Sequence, residues 1–254
     1  MDLLAINNPP ELVAARTKAI HEAAIRESRC MKQPNFERIG TGDLIRLFEL
    51  YDRAFFDGWL AQATKAATPM PVVFRLSSTM TRAGGKTITH RRKMPNGDAC
   101  RHYEIAIASR MLLMTFRQVE RPVVVSGLTC TDRLGALQRI FEHELIHLAE
   151  LLVWDESSCS GFRFKLLARN IFGHTDTKHA LVTPREHAAV QHGVRMGSRV
   201  EFDFEGRRLV GRVNRISQRA TVLVEDAAGV DYTDGRRYLK FYVPLGSLRV
   251  QAEA

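Results

Sequence analysis

The feature that most constrains this chain is a proline-free segment from Thr131 to about Trp154, which predicts one long helix. Thr131 and Asp132 are suited to its N-terminal cap. An apolar stripe follows the segment at helical spacing and consists of Leu134, Leu137, Phe141, Leu145, Leu148 and Leu152. A stripe of this kind is stable only when other elements cover it, so the segment predicts a core helix.

This helix contains the motif His143-Glu144-Leu145-Ile146-His147, an HExxH sequence. Positions four apart project from the same side because a helix has 3.6 residues per turn, so two imidazoles can contact one ion. At about 100° per residue, both histidines lie opposite the apolar stripe and face a separate cleft. Zinc suits such a site, since imidazole binds it well and an open position can hold water of lowered pKa. Glu144 is the expected general base.

The motif also occurs by chance in unrelated helices, so a second interpretation stays open. In that interpretation, one histidine is a hydrogen-bonded core residue and the other is exposed on the surface. The sequence outside the motif has to decide between the two.

Length and composition limit the class of protein. With 254 residues, 45% apolar and 26% charged, the chain can form one large domain or two smaller ones and is not disordered. Cys30, Cys100, Cys130 and Cys159 are far apart, which excludes a zinc ribbon and favours a thiol-reduced, cytoplasmic protein. We expect no membrane partner, because no signal peptide and no apolar run of about 20 residues is present.

The net charge of +9 favours an acidic partner, with nucleic acid as the leading candidate. Basic residues concentrate between Arg82 and Arg101, where six of them accompany one acid, Asp98. Such a run could follow phosphates, or it could be the solvated surface of a hairpin. A basic surface that binds nucleic acid would also place the protein at DNA or the nucleoid.

The remaining patterns predict an α+β chain in three parts. Residues 1–40 form a helical N-terminal extension. Residues 41–192 begin with a helix, continue with a strand at 71–76 and a hairpin that turns at 95–98, and contain the HExxH helix. Residues 193–254 alternate in short strands with tight turns, which is typical of a small SH3-like β-barrel.

Several motifs in order resemble those of the SprT-like (Spartan-type) family: Phe55 to Leu60, Ser77 to Gly85, the strand Ile105 to Ile107, and HELIH. The resemblance covers about residues 41 to 180. It implies a zincin-like metalloprotease domain with a small antiparallel sheet and bound zinc. Members of the family are hydrolases, and those of the Spartan type cleave proteins covalently crosslinked to DNA, which would make DNA binding and DNA repair part of this protein's role.

By the same resemblance, His143 and His147 are metal ligands and Glu144 is the general base. One position departs from the family, which usually supplies its third zinc ligand from a His-Gly pair before the next helix. Here the pair is Ser160-Gly161, and a serine hydroxyl is a poor zinc ligand.

The expected substitute is Cys159, which would bind strongly as a thiolate but would make the zinc less electrophilic. Glu150, on the same helical face as His147, is an alternative, with support of a histidine as its simpler role. A site completed by water, or a weak site, also remains open. His174 and His179 follow a helix that spans roughly 18 Å, so we expect them on another surface or on a substrate-facing wall.

These observations lead to two hypotheses. The first is a zinc-dependent endopeptidase that acts on a protein or peptide substrate, including proteins bound or crosslinked to DNA. The second is a zincin-scaffold adaptor with weak or no activity, which has lost full metal coordination at Ser160 and binds nucleic acid or protein. Metal content separates the two.

Overall fold

A computed structural model of the chain describes residues 1–93, 99–117 and 120–251, so the turn expected at 95–98 lies outside the described residues. The fold is α+β, with seven α-helices and three small sheets in the described ranges. It has two compact units, Met1–Leu181 and Val182–Ala254. Residues 1–40 therefore belong to the first unit, and the units divide before the boundary expected after residue 192.

The first unit contains six of the helices. They are α1 (Pro10–Glu27), α2 (Thr41–Phe56), α3 (Trp59–Ala67), α4 (Ser109–Met114), α5 (Arg133–Trp154) and α6 (Phe162–Phe172), with a short 3₁₀ helix at Leu3–Ala5. Helix α2 ends where Asp57 and Gly58 both adopt positive φ, at 51° and 79°. Glycine tolerates this backbone, so the chain turns sharply into α3.

Helix α5 is the central element of this unit and confirms the helix expected from the sequence. It begins with Asp132 as N-cap, whose side chain accepts a hydrogen bond of 2.8 Å from the Gly135 amide. It ends at Asp155, which adopts the left-handed conformation. The stripe residues from Leu134 to Leu148 are buried, and they pack with aromatic residues of neighbouring helices such as Tyr51 and Phe172. The core therefore holds α5 on most of its sides.

Three strands form the sheet beside α5: β1 (Val73–Leu76), β2 (Gly85–Lys93) and β3 (Ala99–Ile107), in the order β1-β3-β2. Strand β1 runs parallel to β3, and β2 runs antiparallel to it. The expectation of a purely antiparallel sheet is wrong, because β3 enters between the two earlier strands and leaves β2 at the edge. A second, two-stranded sheet contains β4 (Val123–Val125) and β5 (Leu128–Cys130).

The second unit begins with α7 (Pro184–His192), which Thr183 and Glu186 stabilise through a capping box. Its strands are β6 (Arg199–Phe204), β7 (Arg207–Ile216), β8 (Ala220–Asp231), β9 (Arg237–Val243) and β10 (Arg249–Val250), with a 3₁₀ helix at Leu245–Ser247. They form one antiparallel sheet in the order β10-β6-β7-β8-β9.

The expected closure of this sheet into a barrel is not found in residues 182–251. Strand β10 has only two residues, and both pair with β6, so no ladder joins β10 to β9. One face of the sheet carries the apolar core of the unit, which includes Val200, Phe202, Val213 and Val222. The result is an open sheet with one buried face.

None of the described helices combines the length and the apolar character that a membrane-crossing helix requires.

Candidate metal centre

Helix α5 places His143 and His147 on one side, where their rings meet. The two Nε2 atoms are 3.2 Å apart. The ring of Phe164, from α6, packs against both imidazoles with centroid distances of 4.7 Å and 4.5 Å. The helical period and this aromatic contact together direct the two ring nitrogens to one point.

Cys159 lies at the same point. Its Sγ and one nitrogen of each histidine are all within 4.8 Å of one another, and all three residues are partly exposed. Ser160 is exposed, and its hydroxyl lies 2.9 Å from that of Ser158. The structure therefore brings the three predicted ligands together and gives Ser160 a different contact.

This donor set fits a zinc ion. Imidazole nitrogen and thiolate sulfur are preferred zinc ligands, and a three-ligand site leaves a fourth position for water or substrate. Two nitrogens bound to one tetrahedral zinc at about 2.0–2.1 Å are about 3.3 Å apart, close to the 3.2 Å between the two histidines. The two imidazoles thus have the spacing that one ion requires, and Cys159 Sγ, within 4.8 Å of both nitrogens, could complete the set of ligands.

A chain of hydrogen bonds fixes the ring of His147. Its Nδ1 lies 2.7 Å from Ser157 Oγ, and that hydroxyl donates to Glu150 Oε2 at 2.5 Å. The other Glu150 oxygen accepts from Arg163 Nε at 2.8 Å. Because the Ser157 hydroxyl donates its proton to Glu150, its oxygen can only accept a hydrogen bond from His147. Nδ1 of His147 therefore carries the ring proton, and the lone pair of Nε2 is free to bind a metal ion. Glu150 thus supports His147 and is not among the three clustered donors.

Glu144 projects from α5 into a buried position beside β2. Thr87 Oγ1 lies 2.8 Å from its Oε2, and a Cβ added to Gly85 would be only 2.6 Å from its Oε1. Burial raises the pKa of the Glu144 carboxyl to about 7, although the Thr87 side chain and backbone oppose the shift. The absence of a side chain at Gly85 therefore gives this carboxylate its space.

The two histidines are neutral near pH 7. Burial, followed by the nearby His147, lowers the pKa of His143 to about 3. Burial also lowers the pKa of His147, and Glu150 partly offsets that shift. Neutral imidazole is the form that binds a metal ion.

The two later histidines are not among the three clustered donors, but both lie close enough to His143 to help lower its pKa. His174 is buried, and its Nε2 contacts Glu142 Oε2 at 2.8 Å. Glu142 also accepts hydrogen bonds from Tyr51 and Arg139, so it belongs to a network in the core. His179 pairs with Val125 through a β-bridge and packs near Gly84.

Part of the basic run in the β2–β3 hairpin is neutralised. Arg91 and Arg101 both form ion pairs with Asp155, at 3.7 Å and 2.5 Å. The side chains of Arg92 and Lys93 lie outside the described ones. Arg91 and Arg101 therefore link the hairpin to Asp155, the residue at which α5 ends.

Three contacts of the site were not predicted from the sequence: Ser157 on His147, Thr87 on Glu144, and Phe164 on both imidazoles. Each joins residues from different elements. A repeating pattern along the chain gives no signal for them.

Comparisons of the chain with protein-family models, with curated proteins and with solved structures gave no match.

Proposed function

We propose that the first unit is a zinc-dependent endopeptidase, with His143, His147 and Cys159 as zinc ligands and Glu144 as the general base. The observation that carries the proposal is the group of three donor atoms within 4.8 Å of one another. A buried carboxylate from the residue next to His143 accompanies them. This combination of donors and base is the minimum that metal-assisted hydrolysis of a peptide bond requires.

A bound zinc ion would supply positive charge that polarises a peptide carbonyl and makes a nearby water molecule more acidic. The residues of the chain do the rest. Glu144 takes the proton from the attacking water and passes it to the leaving amine as the peptide bond breaks. Thr87 holds the carboxylate in place, and Ser157 and Glu150 hold the ring of His147.

Strand β2 is suited to bind the substrate. Among the described residues, it pairs with β3 alone and leaves its outer edge without a partner strand. An extended peptide can add to such an edge through main-chain hydrogen bonds. Gly85 and Thr87 of this strand lie against Glu144, so a peptide on the edge would pass close to the general base.

The finer assignments belong to the same proposal. The HExxH helix, the edge strand and the motifs similar to those of the SprT-like family support a zincin-type scaffold for the first unit. The five antiparallel strands of the second unit support an SH3-like relationship. The resemblance, together with the net charge of +9, favours proteins bound or crosslinked to DNA as substrates.

The test is proteolysis by the full chain loaded with zinc, with casein as the substrate. Glu144→Gln should lower the rate about 10²–10⁴-fold, the usual contribution of a general base, and should retain zinc. Glu22→Gln, at an exposed position of α1 and outside the loop that borders the site, is the matched control and should keep full activity. Equal rates for the wild type and Glu144→Gln would refute the mechanism.

A zincin-scaffold adaptor is the second candidate. The observation in its favour is Ser160, since the family resemblance places histidine there and the replacement donor is a thiolate that lowers the electrophilicity of zinc. Zinc analysis after dialysis separates the candidates. One zinc per chain with cleavage of casein supports the peptidase, and a chain that loses zinc and cleaves nothing supports the adaptor.

A further inference from the structure

The second unit has a basic row on the sheet face opposite its apolar core. Arg199 pairs with Arg212, Arg212 with Leu223, and Leu223 with Lys240, so the row crosses four strands. Residues directly opposite each other in antiparallel strands lie on the same face. The next residues along the strands, such as Val200 and Val222, are buried on the other face. Arg199, Arg212 and Lys240 are exposed.

Among the described residues of the unit, no acid forms an ion pair with the basic residues of this row. Like charges directly opposite each other in a sheet destabilise it, and Arg199 and Arg212 have no acidic partner among the described residues. The acids nearby already have partners. Glu201 and Asp203 pair with Arg249, Glu225 pairs with Arg236, and Asp231 pairs with Arg237. Asp234, which lines the cavity near Arg212, accepts hydrogen bonds from the Tyr238 hydroxyl and the Arg236 amide. This excess of positive charge on one face of the sheet favours a ligand that carries several negative charges.

Aromatic rings lie among these basic groups. Tyr232 and Tyr238 meet edge to face at 5.2 Å, and the Lys240 Nζ lies 5.5 Å from the Tyr232 ring centroid. Both tyrosines line a cavity of about 200 Å³, together with Arg212, Asn214, Leu223 and Asp234. The buried side chain of Leu223 and Val213 of the apolar core supply the apolar part of the cavity lining.

A second row extends the same face. Arg215 pairs with Thr221, and Thr221 pairs with Tyr242, whose side chain is 66% exposed. Thr221 lies two residues from Leu223, so it projects from the same side of β8. Exposed tyrosine and arginine therefore recur next to the first row.

We propose that this face binds single-stranded nucleic acid. Phosphates would contact the exposed basic residues, and one base would enter the cavity and stack on Tyr232. Unpaired bases stack on aromatic side chains, whereas a duplex keeps its bases stacked inside and gives exposed tyrosines nothing to contact. Asn214 and Asp234 provide polar atoms for the edge of the base. This proposal is independent of the peptidase proposal, because it uses only residues of the second unit.

The test is the affinity of the full chain for a labelled oligothymidylate and for a duplex of the same length, measured by fluorescence anisotropy. The single strand should bind more tightly than the duplex, and its affinity should fall as salt rises. Tyr232→Ala should weaken binding at least fivefold, roughly the loss of one stacked base, while Tyr232→Phe should bind like the wild type.

Charge variants test the phosphate contacts. Arg212→Ala should weaken binding and reduce the slope of log affinity against log salt by about 0.7, the value for one phosphate of a single strand. Arg208→Ala removes the same charge from a side chain that already faces Glu201 and Asp203, so it should change binding much less. Arg212 is exposed, so this variant tests the proposal even if Tyr232→Ala does not fold.

Three results would overturn the proposal: tighter binding of the duplex, wild-type affinity of a folded Tyr232→Ala or Arg212→Ala, or an affinity that does not depend on salt. Thermal unfolding of each variant shows whether it is folded. Because the measurement is binding, it gives an answer whether or not the first unit cleaves casein.

Discussion

Helix α5 and the loop from Asp155 to Gly161 border the same candidate site, but they hold their residues in different ways. The helix fixes His143 and His147 through its own backbone hydrogen bonds and through burial of its apolar stripe. The loop has no such regular ladder, and its Ser157 lies in place through side-chain hydrogen bonds to His147 and Glu150.

This difference indicates which half of the site is easier to disturb. A substitution in the helix leaves His143 and His147 held by the packing of a buried element. In the loop, the loss of one side chain can remove a hydrogen bond that keeps the site in place. The third donor, Cys159, belongs to the loop. We therefore expect metal affinity to depend strongly on loop residues that do not themselves contact the metal.

The largest effect is expected from Cys159→Ala. It removes the proposed loop ligand, so zinc affinity should fall by more than the roughly 10–100-fold typical of an outer supporting residue. Zinc content after dialysis measures the loss. Ser160→Ala is the matched control, since its hydroxyl contacts Ser158, and it should retain zinc. If Ser160→Ala lost zinc and Cys159→Ala kept it, the assignment of the loop ligand would be reversed.

Gly85→Ala tests the helical half of the site through the neighbouring strand. The new Cβ would lie 2.6–2.9 Å from the Glu144 side chain, so the carboxylate must move. A displacement of about 1 Å in a catalytic group can cost about 100-fold in rate, which is the loss expected in casein cleavage. Gly42→Ala, where a Cβ would meet nothing within 4 Å, should leave the rate unchanged. Wild-type activity in Gly85→Ala would contradict the role of Glu144.

Ser157→Ala tests the loop support directly. It breaks the link between His147 and Glu150, so we expect zinc affinity to fall about 10–100-fold while the three ligands remain. Competition with a zinc chelator measures this change. Ser158→Ala removes an exposed hydroxyl that contacts only Ser160 and should have no effect. An unchanged affinity in Ser157→Ala would show that the loop holds His147 no better than the helix alone.

The smallest effect concerns the start of α5. Asp132→Ala removes the N-cap bond to the Gly135 amide and should lower the free energy of unfolding by about 1 kcal/mol. Urea denaturation measures the loss. Thr131→Ala, which removes only a hydroxyl that contacts the Asp132 carboxylate, should cost less. No change in Asp132→Ala would show that packing alone fixes the first turn.

The contribution of Asp132 should also depend on pH. Burial alone would raise the pKa of this carboxyl, but hydrogen bonds from His21 and the Gly135 amide hold it below its ordinary value. A lowered pKa in the folded state stabilises the fold above the unfolded pKa of about 3.9 and loses that effect as pH falls further. The difference in stability between wild type and Asp132→Ala should therefore shrink below about pH 4. A difference that stays constant across that range would contradict the ionic role of the cap.

The sequence predicted the parts of the fold that a repeating pattern encodes. The apolar spacing from Leu134 to Leu148 predicted α5, and Asp132 was recognised as a capping residue. The sequence also predicted the α+β class. It did not predict the parallel pairing of β1 with β3 or the open end of the second sheet, because strand order depends on contacts between distant segments.

The candidate site divides in the same way. The spacing of His143 and His147 by itself placed both imidazoles on one face, since the helical period is a local property of the backbone. The sequence named Cys159 as the expected third ligand, but only the tertiary structure shows its sulfur beside the two imidazoles. The conformation of an irregular loop is set by its packing against α5 and by side-chain hydrogen bonds, and neither leaves a periodic signal in the sequence.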